Sequence, residues 1–341
     1  MTTSQSVTGT GPGASRGGSW HLRQMPERAP GFDVLSETLA ELVEQGLPIV
    51  ACTADLKYSN GLVNFQEAHP DRFLQFGISE QNMVSAAAGL ATTGLEVYVA
   101  TFASFLALLC CEQIRTDVAY TKQRVRLIGH HSGITLGFYG TSHHATEDLA
   151  IMRSIAGLTV VAPADAASLA ALIRQASSVD GPIYFRIGRG REPAVYDMGV
   201  ELRFGEAVNL ERGRDLTIIA TGTMVHPARE AVGRLRQSGH SIGLIDMHTV
   251  KPLDQDAVLE AAARSGRLMT VEEHNVLGGL GGAVAEVVTS SGVAVPVHRH
   301  GIRDDYSLIG PPTHLYRHYG LDASGIEAEA AKFLASSSRE K

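Results

Sequence analysis

The sequence lacks the hallmarks of membrane, secreted and nucleic-acid-binding proteins. No apolar run approaches the roughly 20 residues that a membrane-spanning helix needs. Acidic side chains outnumber basic ones by 36 to 29, giving a net charge of −7, and there is no basic block. This balance argues against nucleic acid or an anionic membrane as the main partner. The Gly/Ser/Thr-rich start has no apolar centre, so it does not resemble a secretory signal, and residues 1–30 are predicted to be a disordered leader.

Cysteine is also scarce. The three cysteines, Cys52, Cys110 and Cys111, form neither a CxxC pair nor a zinc-like spacing. Cys110 and Cys111 lie in an apolar helical stretch, which favours buried thiols in a reducing, cytoplasmic compartment. A catalytic thiol is the alternative, but no neighbouring side chain would activate it.

The chain does contain a regular alternation of helical and strand patterns. In the first half, helical patterns lie at residues 32–45, 81–93, 104–120 and 164–177. Short apolar, β-branched runs lie between them, at residues 48–52, 73–76, 97–100, 125–128, 158–161 and 183–187. Such short runs between helices are typical of strands buried on both faces, and therefore of a parallel α/β sheet.

A second series of the same kind begins near residue 200. Strand patterns lie at residues 216–220, 242–246, 268–271 and 293–298, with helical patterns at 227–238, 254–265 and after Gly282. The 341 residues suffice for two cores. We predict two three-layer αβα domains with mostly parallel sheets, covering residues 31–195 and 205–338.

Ligand sites in such sheets gather at the carboxyl ends of the strands. Three polar stretches occupy these positions: residues 54–56, 77–80 and 130–133. In the second stretch, Gly77 permits a sharp turn and Ser79 can cap a helix that starts beside Glu80. A glutamate in the first turn of a helix could serve only to complement the helix dipole.

The residues around Glu80 resemble a known family. FGISEQNMVSAAAGLA is similar to the helix that carries the thiamine-activating glutamate in transketolases, deoxyxylulose-phosphate synthases and the β subunits of 2-oxoacid dehydrogenases. TADL with SN (53–60), TFASF (101–105) and the stretch from His131 to His143 narrow the resemblance to transketolases. LTIIATGTMV, MHTVKPL and TVEEHNVLGGLGG resemble their C-terminal domain, so the similarity covers residues 32–335.

The resemblance implies a role for each matching residue. Glu80 would activate thiamine diphosphate by sharing a proton with its pyrimidine, which requires an apolar pocket. Asp55, Phe102 and Phe105 would also contact the cofactor. The substrate would be bound by five residues, with His131 and His143 moving protons: Ser59, His131, Tyr139, His143 and Arg186. Arg186 would grip a sugar phosphate with its planar guanidinium.

One expected motif is missing. The family binds Mg²⁺ and the diphosphate through a Gly-Asp-Gly motif in an N-terminal domain, and this chain has none. The resemblance therefore implies the C-terminal subunit of a split transketolase, with a partner subunit that carries the motif and holds Mg²⁺, in an α₂β₂ assembly. The His130-His131 pair could suggest a metal site, but no ligand-spaced carboxylate or cysteine accompanies it.

Two departures from the family bear on the substrate. The loop that usually reads Gly-Glu-Asp-Gly is GFYG here (137–140), so two aromatic residues replace two carboxylates. Phe32 stands where the family has a phosphate-binding arginine, and Arg28 lies four residues earlier. These changes predict an unusual substrate that is less hydroxylated, more hydrophobic or unphosphorylated.

Three alternatives remain. A β subunit of a 2-oxoacid or acetoin dehydrogenase shares the glutamate helix and the two-chain organisation. A deoxyxylulose-phosphate synthase normally carries both halves on one chain. A non-catalytic scaffold subunit would have kept the fold without the chemistry.

Overall fold

The computed structural model describes residues 30–189 and 192–336. The predicted leader, residues 1–30, lies outside these ranges except for Pro30, and Arg28 is therefore not described. The side chain of Phe32 is not described either. None of the helices within the described ranges is both long and apolar enough to cross a membrane.

The first domain alternates strands and helices as predicted. In chain order its elements are α1 (Pro30–Glu44), β1 (Ile49–Thr53), α2 (Val63–Ala68), β2 (Phe73–Gln75), α3 (Glu80–Ala91), β3 (Glu96–Phe102), α4 (Cys111–Gln113), β4 (Val125–His130), α5 (Asp148–Ser154), β5 (Thr159–Val161), α6 (Ala166–Ala176) and β6 (Ile183–Arg186). Leu35, Leu39 and Leu42 of α1 are buried at helical spacing, and each contributes roughly 2 kcal/mol of hydrophobic stabilisation.

The segment after β3 differs from the single helix predicted at residues 104–120. Two π-helical turns, Phe105–Leu109 and Ile114–Ala119, flank α4. The amide of Cys110 donates to the carbonyl of Phe105, five residues back, at 3.3 Å. Such wider turns are frequent at functional sites, and this one begins at a predicted cofactor residue.

The second domain follows the linker after residue 193. Its elements are β7 (Val208–Glu211), β8 (Leu216–Ala220), α7 (Val225–Gln237), β9 (Ile242–Asp246), β10 (Thr249–Lys251), α8 (Gln255–Ser265), β11 (Leu268–Asn275), α9 (Leu280–Ser290), β12 (Val297–Ile302), α10 (Pro312–His318) and α11 (Ala323–Ser336).

The strands form two sheets, ordered β10-β5-β6-β4-β3-β1-β2 and β12-β11-β8-β9-β7. All pairings are parallel except those of β10 with β5 and of β7 with β9. Each sheet has a hydrophobic core on both faces. The predicted pair of three-layer αβα domains is therefore confirmed.

The sequence did not predict that β10 would leave its own domain. Thr249 pairs with Val161 of β5, so a strand from the second half of the chain extends the first sheet. The two domains consequently share a sheet edge and are held together by backbone hydrogen bonds as well as by side chains.

Candidate active site

The candidate residues lie at the carboxyl edge of the first sheet. The strands β4, β3, β1 and β2 are adjacent, and they run parallel. Phe102 ends β3 and His131 follows β4, while Asp55 and Glu80 follow β1 and β2. Parallel strands bring their carboxyl ends to one edge, so residues spread over 77 positions of the chain converge there.

Glu80 is the first residue of α3 and is only 9% exposed. Gly77, at φ 65°, makes the turn that leads from β2 to this helix. Within the described part of the chain, the carboxylate has no hydrogen-bond or ion-pair partner. The side chain is largely buried and its carboxylate is not held by a neighbouring group, so Glu80 is suited to meet a polar atom of a ligand.

Ser79 occupies the N-cap position of α3 but does not cap the helix. Its hydroxyl donates to the carbonyl of Phe76 at 2.8 Å, and it accepts no hydrogen bond from a helix amide. The predicted capping role is therefore wrong: the hydroxyl fixes the turn that precedes the helix.

Five of the predicted residues form an aromatic–imidazole cluster. The ring of Phe102 lies 5.3 Å from Phe105, 4.9 Å from His131 and 5.6 Å from His143, between centroids. His143 also contacts Phe105 at 5.3 Å and Tyr139 at 4.9 Å. Two imidazoles thus lie against two phenylalanine rings, an arrangement that can transfer protons beside an apolar surface.

The two adjacent histidine pairs are His130–His131 and His143–His144, and of these four side chains only that of His143 is not fully buried. Burial lowers the pKa of the half-buried His143, whose Nδ1 lies 2.9 Å from the Ser142 hydroxyl. A neutral imidazole can accept a proton at one nitrogen and donate at the other. Burial lowers the pKa of His130 to about 3, so this side chain stays uncharged in the core. Among the described residues, no group of three or more His, Cys, Asp or Glu side chains could hold a metal ion.

Asp55 and Ser59 belong to the turn after β1. Asp55 is exposed, and its backbone has φ 58°. Its amide donates to the side-chain oxygen of Gln75 at 2.6 Å. Asn60 anchors the turn, because its side-chain amide donates to the carbonyl of Ala100 at 2.7 Å. The turn is therefore at the predicted sheet edge.

The predicted role of Arg186 does not agree with its position. The side chain is 2% exposed and pairs with the carboxylate of Asp148 at 2.9 Å. Its Nη2 also donates to the carbonyls of Ala145 and Glu273, at 3.0 and 2.8 Å. A guanidinium committed to these internal acceptors is a structural cation that holds the two domains together, and it is not placed to grip a substrate phosphate.

Another arginine, which sequence reasoning missed, lies in a cleft of about 960 Å³ between the domains. Arg189 lines this cleft together with Tyr139, Phe138 and residues of the second domain such as Arg317. Tyr139 and Phe138 are 44% and 60% exposed. Since Tyr139 also contacts His143, the cleft opens directly beside the cluster. The YFRIGRG stretch contained both arginines, but only the fold distinguishes them.

The cysteines are not positioned as nucleophiles. Burial raises the pKa of Cys52 to about 12, and burial together with the nearby Glu80 carboxylate raises the pKa of Cys110 to about 12. Both thiols stay protonated at neutral pH, and a thiol reacts as its thiolate. Buried thiols were predicted for Cys110 and Cys111: Cys110 is buried as predicted, whereas Cys111 is only half-buried.

The EEH stretch of the second domain is fully buried. Glu272 accepts from the amides of Leu280 and Gly281 at the start of α9, at 2.7 and 2.8 Å. Glu273 reaches instead into the first domain and accepts from the amide of Ile134 at 2.7 Å. The sequence alone had predicted no role for this stretch.

Two family descriptions match the chain. Residues 31–193 match the transketolase pyrimidine binding domain and residues 205–326 match the transketolase C-terminal domain. The chain therefore belongs to the transketolase family, in which it corresponds to these two domains.

Several relatives are similar over nearly their whole length. An apulose-4-phosphate transketolase subunit of Phocaeicola vulgatus is 38% identical, over 88% of this chain and 96% of the relative. A 6-deoxy-6-sulfo-D-fructose transketolase subunit of a Clostridium species is 36% identical, over 86% and 91%. A solved structure described as a split gene transketolase in an inactive β4 tetramer is 37% identical, with a TM-score of 0.80 over 89% of this chain and 97% of that one.

Proposed function

We propose that this chain is one subunit of a two-component, thiamine-diphosphate-dependent transketolase that transfers a two-carbon ketol unit. The observation that carries the proposal is Glu80: a buried carboxylate with no hydrogen-bond or ion-pair partner in the described chain, at the same sheet edge as the aromatic–imidazole cluster. The family and its relatives named as transketolase subunits support the same reaction.

The residues at the sheet edge fit the pyrimidine half of the cofactor. Glu80 would hold a proton against a ring nitrogen of the pyrimidine, and Phe102 and Phe105 would provide its apolar wall. When bound, thiamine diphosphate supplies the electron sink that carbon–carbon cleavage requires and that no side chain can provide. His131 and His143 would exchange protons with the hydroxyl groups of the sugar, and Asp55 and Ser59 would line the same edge.

The surface beside Glu80 supports a second subunit. Ile78 is 85% exposed, and Leu108 and Leu109 are about half exposed. Leu109 adjoins the start of α3, because its carbonyl accepts from the side chain of Gln81 at 2.9 Å. Exposed apolar side chains around a site mark an interaction surface. In our proposal a partner with the Gly-Asp-Gly motif covers this surface, supplies the diphosphate and Mg²⁺ site and forms an α₂β₂ tetramer.

A specialised substrate is also part of the proposal. Phe138 and Tyr139, which replace the carboxylates of the usual loop, make this wall of the site more apolar. Arg189, rather than Arg186, would face an anionic end group if the substrate has one. The relatives are named for a sugar phosphate and a sulfonated sugar, so an end group other than that of ordinary pentose phosphates is consistent with the family. Poor turnover of xylulose 5-phosphate with erythrose 4-phosphate is expected.

We also propose that the protein is located in the cytoplasm. Free cysteines persist in reducing surroundings, and the three here form no disulfide, which supports the cytoplasm. Cell fractionation that finds the native protein in an oxidising compartment would contradict the proposed cytoplasmic location.

A dehydrogenase β subunit remains the second candidate, because it uses the same glutamate helix. Transfer of the product to lipoyl-lysine by the assembled enzyme would support it over a transketolase. Unchanged turnover after Glu80→Ala would instead support a non-catalytic scaffold subunit.

Calorimetry tests the two-chain site directly. Thiamine diphosphate and Mg²⁺ are titrated into this chain, into the proposed partner subunit with the Gly-Asp-Gly motif, and into a mixture of the two. Tight binding is expected only in the mixture, and Glu80→Gln serves as the control that keeps the shape of the side chain without its charge. Tight binding by this chain alone would contradict the proposal that the partner holds the metal.

A further inference from the structure

Glu273 crosses from the second domain to the turn that carries His131. It lies on β11 and is 1% exposed. One carboxylate oxygen accepts from the amide of Ile134 and from the hydroxyl of Tyr316, both at 2.7 Å, and the other accepts from the hydroxyl of Thr223 at 2.8 Å. Three donors thus fix the carboxylate, and one of them belongs to the first domain.

The turn that receives this carboxylate has an unusual backbone. His131 has φ 57°, a left-handed conformation that a residue with a side chain adopts only when its surroundings hold it there. Gly133 also has φ 57°, and a Cβ at this position would lie 2.1 Å from the carboxyl carbon of Glu273. The backbone of the turn therefore packs directly against the glutamate, and only glycine leaves room for it.

The turn is also attached to its own domain. The amide of Ser132 donates to the carbonyl of Ile187 at 3.1 Å, and the amide of Gly133 donates to that of Ala145 at 3.1 Å. These bonds hold the turn from the strand side, while Glu273 is the side-chain acceptor that holds it from the second domain. Removal of the carboxylate would leave the buried amide of Ile134 without an acceptor.

We propose that Glu273 is a positioning residue for catalysis: by binding the amide of Ile134 it fixes the turn and, through it, the imidazole of His131. The second domain then contributes to the active site as well as to packing. The proposal rests on the function proposed above for His131, but the attachment of the turn can be tested without it.

Glu272 provides a matched control. It precedes Glu273 on the same strand and is similarly buried, but it accepts from the amides of Leu280 and Gly281 in its own domain. Substitution of either glutamate removes a buried acceptor from β11. Only substitution of Glu273 is expected to alter the turn beside His131, because only Glu273 bonds to it.

Hydrogen exchange on the single chain tests the attachment. In Glu273→Ala the amide of Ile134 should exchange at least about tenfold faster than in the unsubstituted chain, because it loses a charged acceptor. Glu273→Gln, which keeps one acceptor oxygen, should show a smaller change and provides a second variant if the alanine protein does not fold. The amides of β4 serve as the internal reference, and Glu272→Gln should leave Ile134 unchanged. An unchanged Ile134 rate in both Glu273 variants would overturn the proposal.

Kinetics of the assembled two-chain enzyme test whether Glu273 positions His131 for catalysis. Glu273→Ala should lower kcat at least about tenfold, since small displacements of a catalytic group are costly. The Kd for thiamine diphosphate should stay within about twofold, Glu273→Gln should recover part of kcat, and Glu272→Gln should retain it. Equal losses of kcat in the Glu272 and Glu273 variants would overturn the positioning role. An unsubstituted enzyme without transketolase activity would refute the proposed function itself, and the exchange result would then stand alone.

Discussion

Disruption of the buried ion pair between Arg186 and Asp148 should strongly destabilise the protein. The two side chains are 2% and 0% exposed, with 2.9 Å between Nε and Oδ2. Tyr184 also donates to the Asp148 carboxylate at 2.8 Å. Asp148→Asn removes the negative charge and leaves the guanidinium buried without a full counter-charge. Breaking one side of such a pair costs about 3–5 kcal/mol.

Thermal and urea unfolding, followed by circular dichroism, measure this loss. For a protein of 341 residues, with an unfolding entropy of about 2.1 cal/mol/K per residue, about 3–5 kcal/mol corresponds to a decrease in Tm of about 4–7 °C. Arg174→Gln is the control: its pair with Glu41 has a similar length of 2.8 Å, but both side chains are about 40% exposed. Exposed pairs contribute about 0–1 kcal/mol.

A double variant separates the ion pair from its packing. Replacing both partners with apolar residues, as in Asp148→Leu with Arg186→Met, removes both charges, and such replacements are often neutral or stabilising. The same variant also removes the hydrogen bonds from Arg186 to the carbonyls of Ala145 and Glu273 and from Tyr184 to Asp148, so its stability relative to Asp148→Asn compares the ion pair with these bonds. The reasoning is refuted if Asp148→Asn costs no more free energy of unfolding than Arg174→Gln.

Three further predictions concern the site and the domain junction. Glu80→Gln should lower kcat of the assembled enzyme about 10²–10⁴-fold, because an amide cannot exchange the proton that a carboxylate does; steady-state assays at saturating cofactor measure this. Arg189→Gln should raise KM for phosphorylated or sulfonated ketoses and leave KM for uncharged ketoses unchanged. Asp246→Asn should stabilise the protein at neutral pH, because burial raises the pKa of Asp246 to about 7, against an ordinary value of 3.8. Between these values the unfolded chain is ionised while the folded chain keeps the proton, so the Asp246 contribution decreases by up to about 1.4 kcal/mol per pH unit as pH rises. The stability gain of Asp246→Asn should grow from pH 4 to 7 and then level off, in urea unfolding at a series of pH values.

Each of these predictions has a contrary outcome. Full activity of Glu80→Gln would exclude a proton-transfer role for the glutamate. Equal effects of Arg189→Gln on charged and uncharged ketoses would exclude recognition of an anionic group. A gain from Asp246→Asn that does not depend on pH would mean that the hydrogen bond from Tyr196 to this carboxylate, 2.7 Å long, keeps it ionised.

The regular elements could be predicted because they follow from local patterns. β8 and β9 have the predicted bounds, since apolar, β-branched runs between helices are typical of strands buried on both faces. The strands β7 and β10 were missed for different reasons. In β7 half-buried and exposed residues alternate, so there is no apolar run, and β10 pairs with β5 of the other domain. The helix predicted at residues 104–120 was correct in extent, but its π-helical turns have no sequence pattern that we recognise.

The site was predictable where residues follow strands. Glu80, Phe102 and His131 each lie at or just after the end of a parallel strand, and the spacing of Phe102 and Phe105 brings their rings into contact. The missing Gly-Asp-Gly motif could likewise be read from the sequence, and it underlies the proposal of a partner. Motif and periodicity are local properties, so the sequence contains them directly.

The fold class, the family and the sheet edge of the candidate site follow from the sequence alone. The tertiary structure shows which of the predicted side chains are buried and which line the cleft. Arg186 and Arg189 are three residues apart, yet one ends a buried strand against Asp148 and the other lines the cleft. Glu273 reaches Ile134 across 139 positions of the chain. Burial and hydrogen-bond partners depend on segments that are distant in the chain and meet only in the folded protein. A local sequence pattern therefore does not predict them.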